Sequence, residues 1–180
     1  MIKRLFLIFM ILGFFSSASA NYHQLAYDFN FKGLDGNQIN LKDYNDKVIV
    51  VVNVASRCGY TPQYSDLQKL WSEYKKDVVV IGVPTNNFKQ EPEGNAKIKE
   101  FCETNFGITF PMSEKVDVIG GNAHPFFKWA KKNHGISAIP KWNFHKIIIG
   151  KNGKVVDTFA SFTKPSSKKF LNVINKEIKS

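Results

Sequence analysis

The residue in this chain best placed for covalent chemistry is Cys58. It follows the apolar run 48–52 (VIVVV) and precedes a segment whose apolar residues recur at helical spacing. The sequence therefore predicts that Cys58 lies where a buried strand ends and a helix begins. A helix N-terminus stabilises a thiolate, the nucleophilic form of cysteine, through its dipole and free N–H groups. Thr61 and Pro62 favour a helix start here, with Thr61 as N-cap and Pro62 as the first helical residue.

The N-terminus has the features of a secretory signal peptide. Two basic residues, an apolar stretch and a run of small residues ending at Ala20 follow one another within residues 1–20. We expect cleavage after Ala20, a single domain over residues 21–180, and a periplasmic or secreted protein. An uncleaved N-terminal anchor is the alternative. Export to an oxidising compartment favours disulfides, so a structural bond between Cys58 and Cys102, the only two cysteines, is one interpretation.

Composition excludes several other kinds of function. The chain carries a net charge of +10, but its lysines are spread along the sequence. No patch interleaves arginines with aromatic residues, so we expect no nucleic-acid partner. No Cys-x-x-Cys pair is present, which argues against a dithiol exchanger or a metal chaperone. We expect no metal or other cofactor, because the histidines are scattered: His23, His124, His134 and His145.

Hydrophobic patterning predicts an α/β fold, with a central mixed sheet flanked by helices and an N-terminal β-hairpin. The hairpin turns at Asp35-Gly36, and Asn152-Gly153 marks a second hairpin. The predicted strands cover residues 47–54, 78–83, 142–149 and 155–159. The predicted helices cover residues 61–75, 95–105, 124–132 and 165–178, with Gly107 ending the second.

Polar side chains that could donate hydrogen bonds to a reacting thiolate lie in two other loops. Asn86 and Asn87 follow the strand at 78–83, and Trp142 and Asn143 begin the strand at 142–149. Ligand sites in open α/β sheets lie outside the carboxyl ends of the strands. An antiparallel strand presents its beginning at that same end, so these loops are expected to converge near Cys58. Loop asparagines are more often turn formers, and tryptophan is more often a packing residue.

Several segments, taken in order, resemble the glutathione peroxidase family. They are NVASRCGYT (53–61), PTNNF with QEP (84–92), FPM (110–112), NAHP (122–125) and WNF (142–144). The resemblance implies a thioredoxin-like fold and reduction of peroxides by a cysteine. It assigns the peroxidatic role to Cys58 and catalytic roles to Trp142, Asn143 and Asn87. Asn87 departs from the family, which has glutamine there in a loop one residue longer. Gln90 belongs to the following Gln-Glu-Pro segment and receives no role.

The implied chemistry is thiol-based. Cys58 attacks the peroxide and becomes a sulfenic acid, which a second thiol then reduces. The resemblance assigns this resolving role to Cys102, within a similar helix; the alternative is that Cys102 is only a core residue. Hydrogen peroxide and organic hydroperoxides are the expected substrates, and glutathione or a thioredoxin-like protein is the expected reductant.

The segment between Lys132 and Trp142 is short, whereas tetrameric family members carry an insertion there. We therefore expect a monomer. We also expect no stable membrane association once the signal peptide has been cleaved. A role in the oxidative stress response follows from the chemistry. A different class of function also remains open. In that alternative the chain is a peroxide-sensing relay that passes its oxidation to a partner protein.

Overall fold

The structure is a computed structural model that describes residues 23–180. The predicted signal peptide, residues 1–20, lies outside the described residues and stays a prediction. The strands are β1 (Asn30–Lys32), β2 (Gln38–Asn40), β3 (Val48–Val54), β4 (Val78–Pro84), β5 (Lys146–Ile149) and β6 (Val155–Phe159). The α-helices are α1 (Gln63–Tyr74), α2 (Asn95–Phe106), α3 (Pro125–His134) and α4 (Lys168–Lys179).

The main sheet has four strands in the order β4-β3-β5-β6. β3 and β4 are parallel and joined by α1, while β5 runs antiparallel to β3 and β6 antiparallel to β5. β1 and β2 pair antiparallel as a separate hairpin. The predicted mixed sheet, its flanking helices and the N-terminal hairpin are therefore confirmed.

The core lies on both faces of the sheet, because every residue of β3 and β4 is buried. Alternate side chains of β3 enter different clusters. Val50 and Val52 pack with Tyr64 and Ile98 on one face, and Val51 packs with residues of α3 on the other. Burying a side chain of this size contributes about 1.5–3 kcal/mol. The continuous apolar run before Cys58 therefore fixes the end of β3 firmly against both layers.

β5 begins four residues later than predicted. Trp142 and Asn143 lie in the loop before it, and the strand starts at Lys146. Phe144 has a φ of 65°, a left-handed conformation incompatible with a continuous strand. Its N–H donates to the main-chain oxygen of Asn53 at 2.6 Å, so the loop is held against the end of β3 instead.

Helix starts also differ from the sequence prediction, whereas the end of α2 agrees with it. α1 begins at Gln63, and its N-cap residue is Pro62 without a side-chain cap, so the prediction of Thr61 as N-cap is wrong. α4 begins at Lys168 after the N-cap Ser167, not at residue 165. Gly107 ends α2 in the left-handed conformation, as predicted.

Candidate active site

Cys58 lies in the tight turn between β3 and α1, with only 7% of its surface exposed. Its Sγ accepts a hydrogen bond from the N–H of Tyr60 at 3.4 Å. Thr61 holds the turn from inside, because its Oγ1 accepts from the N–H of Cys58 at 3.0 Å and donates to the oxygen of Ala55 at 2.8 Å. Thr61 therefore positions the nucleophile's backbone instead of capping α1.

A neighbouring segment clamps this turn from the other side. The N–H of Arg57 donates to the main-chain oxygen of Gln90 at 3.0 Å. Oε2 of the buried Glu91 accepts from both the N–H and the Oγ of Ser56, at 2.7 and 2.8 Å. Burial raises the pKa of Glu91, although the hydrogen bonds from Ser56 partly oppose this by favouring the carboxylate. Arg57 also pairs with Glu93 at the surface.

The loop of Trp142 and Asn143 is tied to the end of β3 through Asn53. The Nδ2 of Asn53 donates to the main-chain oxygen of Trp142 at 3.1 Å, and its Oδ1 accepts from the N–H of His145 at 3.1 Å. Trp142 is 42% exposed and packs its ring against Phe88 at a centroid distance of 5.5 Å. The predicted convergence of these loops at one end of the sheet is therefore observed.

Asn143 is fully buried, and its amide meets a residue to which the sequence assigned no role. Its Nδ2 donates to Oε1 of Gln90 at 3.0 Å. Its Oδ1 is buried without a hydrogen-bond partner among the described residues. The structure thus places Gln90 between the turn of Cys58 and the loop of Asn143. No local sequence signal predicts this contact, which joins positions 53 residues apart.

The side-chain amide of Asn87 forms hydrogen bonds with the loop at 117–119, away from Cys58. Its Nδ2 donates to Asp117 at 2.7 Å, and its Oδ1 accepts from the N–H groups of Val118 and Ile119 at 2.6 and 3.2 Å. Thr85 Oγ1 donates to the same Oδ1 at 3.1 Å. These bonds anchor the loop at 117–119, so the Asn87 amide is not directed to Cys58.

Of the residues assigned from the sequence, none donates a side-chain hydrogen bond to the Cys58 Sγ in this structure; its donor is the main-chain N–H of Tyr60. Trp142 and Tyr60 nevertheless line one groove of about 770 Å³. Most of the lining is apolar, and Ile136 and Phe162 are largely exposed in it. The predicted donor loop and the nucleophile's turn therefore border a common, solvent-accessible space.

His145 supplies a buried polar group to the same groove. It is 6% exposed, and its Nε2 has no hydrogen-bond partner among the described residues. Burial, reinforced by the charge of Lys146, lowers the pKa of His145 to about 4. The imidazole is therefore neutral at pH 7.

The neighbouring Lys146 is fully buried and donates from Nζ to the side chain of Gln63 and to the oxygen of Thr163. Burial lowers the pKa of Lys146 to about 7. Because a neutral amine has two N–H groups, it can satisfy both acceptors without a buried charge. This network ties the start of α1 to the loop that carries Phe162.

Cys102 lies on the buried side of α2, in the same core cluster as Cys58. Both thiols are free, so the structural-disulfide interpretation does not describe this structure. Cys102 is 1% exposed, and burial raises the pKa of its thiol to about 11. The thiol is therefore protonated and shielded while α2 is intact.

Neither a metal site nor a membrane span is found in the part of the chain that the structure describes. Residues 23–180 contain no group of three or more His, Cys, Asp or Glu side chains that could hold a metal ion. Their helices are all too short or too polar to cross a bilayer. The expectation that no cofactor is needed stays a prediction.

Solved structures define the class of protein first. The fold matches the crystal structure of Trgpx in its apo form with a TM-score of 0.69 and 36% identity, over 88% of this chain and 98% of that chain. A secreted thiol-disulfide isomerase from Corynebacterium glutamicum matches with a TM-score of 0.62 over 84% of each chain. At 19% identity the second likeness shows the fold alone. The chain is a thioredoxin-like α/β protein with one cysteine in the turn before α1.

Sequence comparisons then define the family. The family model of glutathione peroxidase matches residues 26–131. The hydroperoxy fatty acid reductase gpx1 of Synechocystis is 43% identical over 157 residues, which cover 82% of this chain and 93% of that protein. The glutathione peroxidase-like peroxiredoxin 2 of Saccharomyces cerevisiae is 44% identical over 147 residues, or 78% and 90% of the two chains. The chain belongs to the glutathione peroxidase family and is a thiol-dependent peroxidase.

Proposed function

We propose that this protein is an exported thiol peroxidase in which Cys58 is the nucleophile. The observation that carries the proposal is the position of Cys58, held by a main-chain N–H on its Sγ and by Thr61 on its backbone. The thiolate attacks one oxygen of the O–O bond, giving a sulfenic acid on Cys58. The other oxygen takes a proton and leaves as water or an alcohol.

Trp142 and Asn143 are the side-chain donors of the site in this proposal. In the described structure the Nε1 of Trp142 makes no hydrogen bond, and one hydrogen of the Asn143 Nδ2 remains after its bond to Gln90. Donors aimed at the position where negative charge develops lower the barrier of such a step. The charge develops here on the departing peroxide oxygen.

The groove favours organic hydroperoxides over hydrogen peroxide. Its apolar wall, with Ile136 and Phe162 exposed, suits a hydrocarbon group attached to the peroxide. The Synechocystis relative is named a hydroperoxy fatty acid reductase, which agrees with this preference.

Cys102 completes the cycle as the resolving thiol. Its sulfur displaces the hydroxyl of the sulfenic acid, so that a Cys58–Cys102 disulfide and one water form. A dithiol reductant then exchanges with this disulfide, restores both thiols and becomes oxidised itself. We propose a thioredoxin-like protein of the same compartment as reductant, with glutathione as the alternative, and a monomeric enzyme.

Peroxide consumption by purified residues 21–180 tests the proposal. Cys58→Ser should abolish consumption of cumene hydroperoxide with a thioredoxin or glutathione system, while its circular dichroism spectrum stays that of the parent. Retention of more than a few per cent of the activity would refute the role of Cys58. A parent protein that is oxidised once but does not turn over with either reductant would favour the peroxide-sensing relay instead.

Substrate preference is tested on the same protein. The ratio of kcat/KM for cumene hydroperoxide to kcat/KM for hydrogen peroxide should fall in Ile136→Ser, since this variant removes an apolar wall of the groove. Leu171→Ser, a change in a half-buried residue of α4, is the control, since Leu171 does not line the groove. An unchanged ratio in Ile136→Ser would show that the groove does not hold the organic part of the substrate.

A further inference from the structure

Gln90 joins the two loops that carry the proposed chemistry. Its main-chain oxygen accepts from the N–H of Arg57, the residue before Cys58, at 3.0 Å. Its side-chain Oε1 accepts from the Nδ2 of Asn143 at 3.0 Å. One residue therefore fixes the nucleophile's turn with its backbone and the proposed donor with its side chain.

A tight turn before Gln90 accompanies this arrangement. Lys89 has a φ of 57°, a left-handed conformation that a lysine rarely adopts. Its N–H donates to the main-chain oxygen of Asn86 at 2.9 Å, which closes a tight turn. The chain reverses at this turn, so that Asn87 faces the loop at 117–119 while Gln90 reaches Asn143.

Gln90 is the hydrogen-bond partner that orients the Asn143 amide among the described residues. The side chain is fully buried, and its Oδ1 has no hydrogen-bond partner among the described residues. Among the described residues, the bond to Gln90 is thus the hydrogen bond that sets the direction of Nδ2. With one hydrogen held by Gln90, the second hydrogen of Nδ2 has a fixed direction in which to meet a substrate oxygen.

We propose that Gln90 is the positioning residue of Asn143 in peroxide reduction, in place of the amide that the family resemblance assigns to position 87. The proposal rests on the proposed role of Asn143 as donor. Gln90 acts by accepting a hydrogen bond from one Nδ2 hydrogen, which orients the other hydrogen towards the peroxide oxygen that departs when Cys58 attacks. Asn87 instead has a structural role at the loop 117–119, through its bonds to Asp117 and Val118.

The test is the rate at which one equivalent of cumene hydroperoxide oxidises Cys58, followed by rapid quench and mass spectrometry. Gln90→Met keeps the side-chain length and the main-chain bond to Arg57 but removes the amide. We expect a tenfold or greater loss of rate. Gln90→Asn, which shortens the amide, should lose rate to an intermediate degree and serves as a second variant if Gln90→Met does not fold.

A double-mutant cycle with Asn143→Ala separates positioning from an independent role. If Gln90 acts through Asn143, adding Gln90→Met to Asn143→Ala should change the rate by less than about twofold. Multiplied losses in the double variant would overturn the inference. Gln68→Met is the matched control, because it removes another glutamine amide with hydrogen bonds, on α1 and away from these loops, and should keep the parental rate.

Alkylation of Cys58 by iodoacetamide is the readout that a merely structural role would move. Alkylation uses the same thiol but involves no peroxide oxygen. The rate at which iodoacetamide alkylates Cys58 in Gln90→Met should therefore stay within about threefold of the parental rate. A parallel tenfold loss of alkylation would mean that the turn of Cys58 has been disturbed and would overturn the inference. If Gln90→Met were oxidised at the parental rate, the inference about Gln90 would be overturned. An inactive Cys58→Ser would in that case still support the proposed function, so the two failures can be distinguished.

Discussion

Replacing Gly107 with alanine should accelerate formation of the Cys58–Cys102 disulfide. Cys102 is shielded on the inner side of α2, so resolution of the sulfenic acid requires this helix to open. α2 has 12 residues, of which only Ile98 and Cys102 are buried, and its preceding segment bears glycine and proline. A helix with so few buried contacts opens at low cost. A change that destabilises the closed helix alone should therefore favour the reactive, open form.

The magnitude follows from the geometry of Gly107. It ends α2 with φ 58° and ψ 35°, and its N–H donates to the main-chain oxygens of Cys102 and Glu103. A Cβ built there meets nothing within 4 Å, so alanine adds backbone strain without a steric clash. An L-residue in this conformation costs about 1–2 kcal/mol, and the cost disappears when the helix opens. The opening equilibrium, and with it the rate of disulfide formation, should rise about five- to thirtyfold.

The assay quenches the protein with acid at set times after one equivalent of peroxide and measures the linked Cys58–Cys102 peptide by mass spectrometry. Gly135→Ala is the matched control. Gly135 follows α3 with a φ of 77° and equally open space around its Cβ position. This control should lower the overall stability but leave the rate of disulfide formation near that of the parent, because α2 is untouched.

One result would refute this reasoning. In this result, hydrogen exchange shows that the α2 amides of Gly107→Ala are less protected than in the parent, so the helix opens more readily. The Cys58–Cys102 disulfide nevertheless forms no faster than in the parent. Resolution by Cys102 would then not depend on opening of α2. A sulfenic acid that persists on Cys58 with an alkylatable Cys102 would go further and leave Cys102 as a core residue.

Three other perturbations have expected outcomes. Between about pH 7 and pH 10, Lys146 has lost its proton in the native state but keeps it in the unfolded chain. The free energy of unfolding of the parent should therefore rise with pH relative to that of Lys146→Met, by about 1.4 kcal/mol per pH unit at most. Denaturant titrations at pH 7 and pH 9 measure this difference, and the same pH dependence in both proteins would contradict it. Asn87→Ala should lower the free energy of unfolding by about 1–3 kcal/mol, since it leaves the N–H groups of Val118 and Ile119 unpaired, but slow Cys58 oxidation less than Gln90→Met does. Trp142→Phe removes an indole donor and should slow oxidation of Cys58 at least about tenfold in rapid-quench experiments, whereas an unchanged rate would exclude Trp142 as a donor.

The elements that the sequence predicts well are those whose local pattern and burial agree. The run 48–52 is apolar throughout, and it forms a strand buried on both faces. Gly107 and Gly153 stand where the chain needs a positive φ, and both end or turn an element as predicted. Such positions depend on few distant contacts, so a single sequence is enough to identify them.

The errors arise where distant contacts override the local pattern. The aromatic residues at 142–144 read as the start of a strand, but Asn53 captures this loop and Phe144 takes a positive φ. Thr61 precedes a proline in a pattern typical of a helix cap, yet its hydroxyl is used by Ala55 and Cys58. In both places a hydrogen bond to the end of β3 replaces the local preference.

The site itself could be predicted in part. The position of Cys58 before a helix follows from local patterning, and the family resemblance identified the loop of Trp142 and Asn143. The different contacts of Asn87 and Gln90 could not be predicted, because they depend on a left-handed turn at Lys89 and on partners 30 to 53 residues away. The sequence alone therefore does not show which of the two amides contacts Asn143.

The tie between Asn53 and the loop of Trp142 has a consequence for the order in which the molecule matures. The two bonds of the Asn53 side chain span 89 and 92 residues. Contacts of such long sequence separation carry a large loop-closure entropy and tend to form late in folding. During synthesis Cys58 is made well before residue 142, so the nascent chain carries the thiol without the loop of Trp142 and Asn143. Full reactivity towards peroxide should therefore arise only after the C-terminal strands have docked, and peroxide met by an incompletely folded chain should find an ordinary cysteine.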